Sequence, residues 1–311
     1  AYEARAMCRR DGDARGEARA LATLAWGFQR TGRPREATEA AQEARSIFQG
    51  EGDLKGEAMA LHTLKDLYLV ASKGKDSSKA LEAISEACAL GRRAGDRRLE
   101  AFSLQAAGAL RCLRREPEEA LKAMTEARAL YKEAGDAAGE LAALDALATL
   151  HFSAADTGKA TEAIGESCSL GEASGNLRAK AFAQHALFAH LAMAKEDKDA
   201  ASQALREAKA TAQQLQDKRL EAAIMQSLSY AHSVNKEPDA ARQAAEEART
   251  LLRGSGDTTA EVGALLRVAN LRDPAELREG VAPEVAEARA LFREADDARG
   301  EARLLGRCGR L

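Results

Sequence analysis

Apolar positions recur at three- and four-residue spacing, in blocks separated by short polar turns. In residues 14–31, Ala18, Leu21, Leu24, Ala25 and Phe28 share one face of a helix. Thr31-Gly32-Arg33-Pro34 interrupts the pattern. Gly stops a helix, and Pro suits the first turn of the next, where its missing N–H costs nothing. Residues 34–49 predict a second helix with Ala37, Ala41, Ala44 and Phe48 facing inward. Gly52-Asp53 closes it, because Gly accepts the left-handed conformation past a helix end and Asp caps the next helix.

This two-helix unit repeats. Asp13, Asp53, Asp96, Asp136, Asn176, Asp217, Asp257 and Asp297 mark successive openings, at intervals of 40, 43, 40, 40, 41, 40 and 40 residues. A fixed period of this size predicts a stacked array in which each unit buries its apolar side against its neighbours. Pro34, Pro117 and Pro238 fall at one register, the start of the second helix. That helix carries Glu43-Ala44-Arg45 or a relative in every unit, with Glu86-Ala87-Cys88 and Glu166-Ser167-Cys168 as variants. A small residue recurs there too (Ala37, Ala80, Ala120, Ala160, Ala201, Ala241), with Val281 as the exception. Small residues at fixed register let helices approach closely.

Two units are irregular. The second carries three extra residues within Ser72–Lys79, and loop insertions of this kind cost little. The seventh contains Asp273-Pro274, Gly280 and Pro283, so its first helix is expected to stop near Leu271 and its second to start late.

Composition narrows the class. Alanine supplies 72 of 311 residues and aromatics only 4%, which favours helices and lacks strand signals. Charge is high but balanced at a net −3, without the basic stripe expected of a nucleic-acid binder. No run of 18 apolar residues offers a membrane span. Five cysteines, Cys8, Cys88, Cys112, Cys168 and Cys308, include no Cys-x-x-Cys pair, which argues against a disulfide framework or zinc ribbon and points to an intracellular setting, cytoplasmic or organellar.

The openings Gly12-Asp13-x-x-Gly16-Glu17-Ala18 and Gly52-Asp53-x-x-Gly56-Glu57-Ala58, their relatives at 96–101, 135–140 and 217–222, and the small-residue row together resemble the tetratricopeptide repeat. The likeness is to its 40-residue form, as in kinesin light chains, spindle-orientation adaptors and bacterial signalling regulators. A HEAT-like array is the alternative. The first helix departs from the short consensus: its Tyr position holds Phe28, Tyr68, Arg111, His151, Leu191, His232 and Arg272. The expected fold is all-α, a right-handed superhelical solenoid of stacked antiparallel helix pairs forming a single domain over 1–311. It comprises a partial second helix at 1–12, seven helix pairs at 13–296 and a partial first helix at 297–311.

Candidate chemistry is sparse. His151 and His232 read as packing residues, and His185 and His190, five apart, point away from each other on a helix. His62 and Asp66 share a face and could give two metal ligands, but no third is evident, so they read as solvated polar residues. No phosphate loop, dinucleotide fingerprint, His-Glu-x-x-His or Gly-x-Ser-x-Gly motif occurs. Neither catalysis nor a metal or cofactor is expected.

The resemblance implies that the first helices line a concave face that receives a partner. One row there is Ala22, His62, Gln105, Asp145, His185, Gln226 and Leu266; the next holds Trp26, Asp66, Ala109, Thr149, Ala189, Tyr230 and Asn270. Trp26, His62, Asp66, Gln105, Asp145, Thr149, His185, Gln226, Tyr230 and Asn270 are the candidate contacts, with the aromatics as anchors. In the spindle adaptors an Asn in the second row clamps peptide backbone; here only Asn270 matches. The expected function is a protein-interaction scaffold or adaptor subunit that binds a protein segment. The alternative is the sensor or autoinhibitory region of a larger signalling enzyme, since both ends of the chain fall within a repeat. An array cut within a repeat also exposes apolar end faces, leaving end-to-end self-association open.

Overall fold

The computed structural model describes residues 1–311 except 75–76, 195–197, 254, 272–282, 296, 299, 303 and 305–311, and except the side chains at 190, 192–194 and 198–199. The chain divides into two compact units, Ala1–Glu166 and Ser167–Leu311. In the first, α1 (Tyr2–Asp11) precedes three pairs: α2 (Ala14–Arg30) with α3 (Pro34–Gly50), α4 (Leu54–Ala71) with α5 (Ser78–Arg93), and α6 (Arg97–Leu113) with α7 (Pro117–Glu133). α8 (Ala137–Ser153) follows, and α9 (Thr157–Ala173) crosses the boundary. The second unit holds α10 (Leu177–Ala194), α11 (Lys198–Gln214), α12 (Lys218–Val234), α13 (Pro238–Leu252), α14 (Thr258–Asn270) and α15 (Pro283–Glu294). From α1 to α8, and again from α10 to α15, each helix packs on its sequence neighbours. The first helices α2, α4, α6 and α8 also touch in succession, as do α10 and α12. α14 ends at Asn270 with Leu271 as its C-cap, where the proline signal places its end; Arg272, Asp273-Pro274, Gly280 and Val281 lie outside the described residues.

The Asp markers are caps. Oδ1 of Asp13, Asp53, Asp96, Asp136, Asp217, Asp257 and Asp297 accepts from the backbone N–H three residues on, at 2.8–3.1 Å, and Asn176 does the same for Ala179. Each satisfies a donor that the helix itself cannot. The glycine before the cap sits at positive φ, as in Gly52 at 65° and Gly135 at 62°.

The second glycine of Gly-Asp-x-x-Gly has a different role. A Cβ on Gly56 would lie 2.3 Å from the Phe48 ring, and one on Gly139 the same distance from Tyr131. These aromatics are 4% exposed and fill the joint between one pair and the next. At the α5–α6 joint the sizes are exchanged: Gly91 occupies the aromatic position and Leu99 the glycine position. A Cβ on Gly91 would lie 2.8 Å from the Glu100 nitrogen. In the second unit Gly171 faces Lys180 in the same way. A large residue thus meets a glycine at the Phe48–Gly56 and Tyr131–Gly139 joints, whereas Gly91 and Gly171 admit the backbone of the next helix.

The recurrent Glu-Ala-Arg is a ladder of ion pairs. Its arginine reaches the Glu of the next opening and the Glu of the next Glu-Ala-Arg. Arg5 lies 3.3 Å from Glu17 and pairs with Glu43. Arg45 lies 3.6 Å from Glu57 and pairs with Glu86. Arg128 lies 3.7 Å from Glu140 and pairs with Glu166. Where Cys88 replaces the arginine, Arg92, one turn on, stands 2.8 Å from Glu100 and 3.6 Å from Glu126. Where Cys168 does so, the charges are reversed: Glu172, one turn on, meets Lys180 at 3.0 Å. A second ladder joins the caps. Lys55 sits 2.7 Å from Asp96, and its hydrogen bond, with the backbone N–H of Leu99, holds that carboxyl below the usual range. Arg98–Asp136, Arg178–Asp217 and Arg219–Asp257 repeat it at 3.9, 3.3 and 3.8 Å.

Candidate functional site: the face of the first helices

Exposed large apolar side chains are distributed unevenly. Outside α1, those among the described residues are Trp26, Met59, Val70, Phe102 and Leu113 in the first unit and Phe182, Tyr230 and Val234 in the second. All stand on first helices (α2, α4, α6, α10, α12). Counted from the capping residue they fall at the sixth, thirteenth and seventeenth positions, spacings of seven and four that share one helix face. Within each unit these exposed apolar positions recur on one side of the first helices, which makes that side the candidate site.

The two rows expected from the sequence fare differently. The second is open: Trp26, Asp66, Thr149, Tyr230 and Asn270 are exposed. Trp26 is 57% and Tyr230 60% exposed. The first row mostly lies lower. Asp145 is exposed, but Gln105, His185 and Gln226 are half-buried. Gln105 accepts from the Tyr131 hydroxyl at 3.0 Å, which ties it to the fold. The flanking positions held by Met59, Phe102 and Phe182, and by Val70, Leu113 and Val234, are functional candidates that sequence reasoning missed. Their signal was present: each lies one or two helical turns from the open row.

His62 corrects an expectation. It is not a solvated residue but 5% exposed. Its ring stacks on Phe102 with centroids 4.4 Å apart. Ser103 Oγ donates to the Leu99 carbonyl at 2.9 Å, so His62 Nε2 donates to Ser103 Oγ at 3.0 Å. Nδ1 is then a buried acceptor without a partner among the described residues. Burial, with Lys65 nearby, pushes the imidazole pKa down to about 4. Asp66 is paired with Lys65 at 2.8 Å. Among the described residues no group of three or more potential metal ligands converges, and no helix is long and apolar enough to cross a membrane.

The second unit has a cavity of about 930 Å³ between α10, α11 and α12. Phe188, Leu191, Leu205 and Leu228 give it an apolar lining, and His185, Gln226, Tyr230, Arg206 and Glu237 bring polar groups to it. The volume is that of a small-ligand or short-peptide site. His185 contacts Ser227 Oγ through Nε2 at 2.7 Å, and burial lowers its pKa. The structure thus brings His185, Gln226 and Tyr230 to one cavity. The side chain of His190 lies outside the described residues.

No protein-family model matches the chain, and no curated protein matches it. Solved structures share its fold. One is a signal-transduction ATPase with numerous domains carrying a tetratricopeptide-repeat sensor, from Pyrococcus horikoshii. It aligns with TM-score 0.64 and 16% identity over 93% of this chain and 44% of that one. This chain therefore spans less than half the length of that protein. The apo quorum sensor NprR of B. thuringiensis aligns with TM-score 0.54 and 9% identity, covering 94% and 86% of the two chains. Apo RapI aligns with TM-score 0.51 and 10% identity, covering 76% and 83%. The stacked helix pairs are those of the tetratricopeptide-repeat fold.

Proposed function

We propose that this chain is a non-catalytic interaction scaffold that holds a segment of a protein partner against its first helices. The observation that carries the reading is that, outside α1, the exposed bulky apolar side chains among the described residues stand on those helices. Surface apolar residues scattered singly need no explanation, but a shared face does. The cavity bounded by His185, Gln226 and Tyr230 suits the side chains of an extended segment. The quorum sensor NprR and a Rap protein complexed with Competence and Sporulation Factor share the fold, which is consistent with ligand capture.

Affinity purification of the native protein followed by crosslinking mass spectrometry tests this. Crosslinks from one stoichiometric partner should concentrate on α2, α4, α6, α10 and α12. Crosslinks confined to the second helices would overturn it. A second reading has its own support: the likeness to the repeat sensor of a larger ATPase, matched over 44% of that protein. In it, the bound segment belongs to an enzymatic domain of the same polypeptide, and the crosslinks would be intramolecular.

A further inference from the structure

The first unit's face carries a charge signature as well as apolar side chains. Arg19 stands at the position equivalent to Met59 and Phe102, and Arg30 at the position of Val70 and Leu113. Both are exposed. Arg30 lies over the Trp26 ring, 5.0 Å from its centroid. Lys73 and Arg115, also exposed, stand in the turns that end α4 and α6, close in sequence to Val70 and Leu113. Both have positive φ, at 51° and 62°. Arg19, Lys73 and Arg115 have no carboxylate partner among the described residues, whereas the cations of the two ladders are paired. The one carboxylate at the open positions of α2, α4 and α6 is Asp66, neutralised by Lys65. The chain as a whole is acidic, at −3, so this face departs from the rest of the molecule in sign.

We infer that the face of α2, α4 and α6 docks an acidic segment bearing bulky apolar side chains. The apolar side chains would pack among Trp26, Met59, Val70, Phe102 and Leu113, and the acids would meet Arg19, Arg30, Lys73 and Arg115. Unpaired cations around an apolar centre favour such a partner twice. They attract it during approach, and they impose a desolvation cost on a basic competitor. The inference rests on the scaffold reading and adds to it the partner's chemistry and its place on the first unit.

Trp26 is the only tryptophan, and its exposure makes its emission a direct reporter. The full chain is titrated with a blocked peptide of three Glu-Glu-Leu-Phe blocks, with its Lys-Lys-Leu-Phe counterpart and with its Gln-Gln-Leu-Phe counterpart. The glutamate peptide should shift Trp26 emission to the blue saturably. It should bind about tenfold more tightly than the glutamine peptide, with a further loss for the lysine peptide and weakening at high salt. Arg19→Glu combined with Arg115→Glu should erase the preference. Trp26→Ala should weaken binding about tenfold, read by anisotropy of a labelled peptide. All these positions are exposed, and far-UV ellipticity checks that the variants keep their helices.

Equal binding of the three peptides would overturn the inference, as would indifference to charge reversal. Binding that survives Trp26→Ala but is lost in Tyr230→Ala would also overturn it while leaving the scaffold reading intact. Absence of binding by every peptide would overturn the inference alone; the scaffold reading falls only with the crosslinking result described above.

Discussion

Glycines at positions 56 and 91 each allow a close approach at a joint between helix pairs, one to a ring and one to a backbone. Gly56 makes room for the Phe48 ring, while Gly91 lets the α6 backbone at Leu99 and Glu100 come close. Gly56→Ala forces a methyl group into the Phe48 ring and should destabilise the protein by about 1–3 kcal/mol. Adding Phe48→Leu should recover part of that loss in a double-mutant cycle followed by urea unfolding. The glycine–aspartate caps were legible in the sequence because capping is local. The purpose of Gly56 was not, because its partner sits on the preceding helix. His62 was hidden for the same reason: its position on the helix faces the open side, but Phe102 of α6 covers it. Its burial has a pH consequence. With a folded pKa of about 4 against an ordinary 6.5, the unfolded chain binds the proton first. The stabilisation is full above pH 6.5 and is lost as pH falls from 6.5 toward 4, by a total on the order of 3 kcal/mol. Urea midpoints at pH 7.5 and pH 5 should therefore differ more for the native protein than for His62→Phe.

Between elements, the ladders join each pair to the next, and their rungs differ in worth. Glu57 is 4% exposed and faces Arg45. Arg45→Ala would leave that buried carboxylate without its cation and should cost about 1–3 kcal/mol. Arg92 is 63% exposed, so Arg92→Ala should cost about 1 kcal/mol or less. Thermal unfolding of the two variants gives the ranking; equal losses would show that burial does not set the strength of a rung. Helix positions were readable from period and punctuation alone. The motif Glu-Ala-Arg was readable as a repeat, but its meaning was not, since its partners stand in the following unit. Two cysteines that break the motif look like decay in the sequence. In the structure Arg92, and the reversed pair Glu172–Lys180, restore the missing charge one turn on.

For the molecule, the 40-residue period was sufficient to identify stacked helix pairs, because any such period demands neighbours to bury its apolar sides. The candidate site was half legible. Its open row with Trp26 and Tyr230 could be counted out from the caps. The flanking apolar rows lay one or two turns away and could be counted out in the same way, but that they are exposed could not, because exposure depends on which sides of neighbouring helices remain uncovered.

The exchange of large and small residues at the joints also dictates an order of assembly. Cutting out residues 53–95 would set Phe48 against Leu99, two bulky side chains in a space for one. Cutting out 53–135 would set Phe48 against Gly139, a match like the native Tyr131–Gly139 contact, and would hand Arg45 the acids Glu140 and Glu166 now held by Arg128. The longer deletion should fold and melt cooperatively where the shorter one does not. The repeats are thus not interchangeable beads: each carries the address of its neighbour, and the array can be shortened only where the addresses agree.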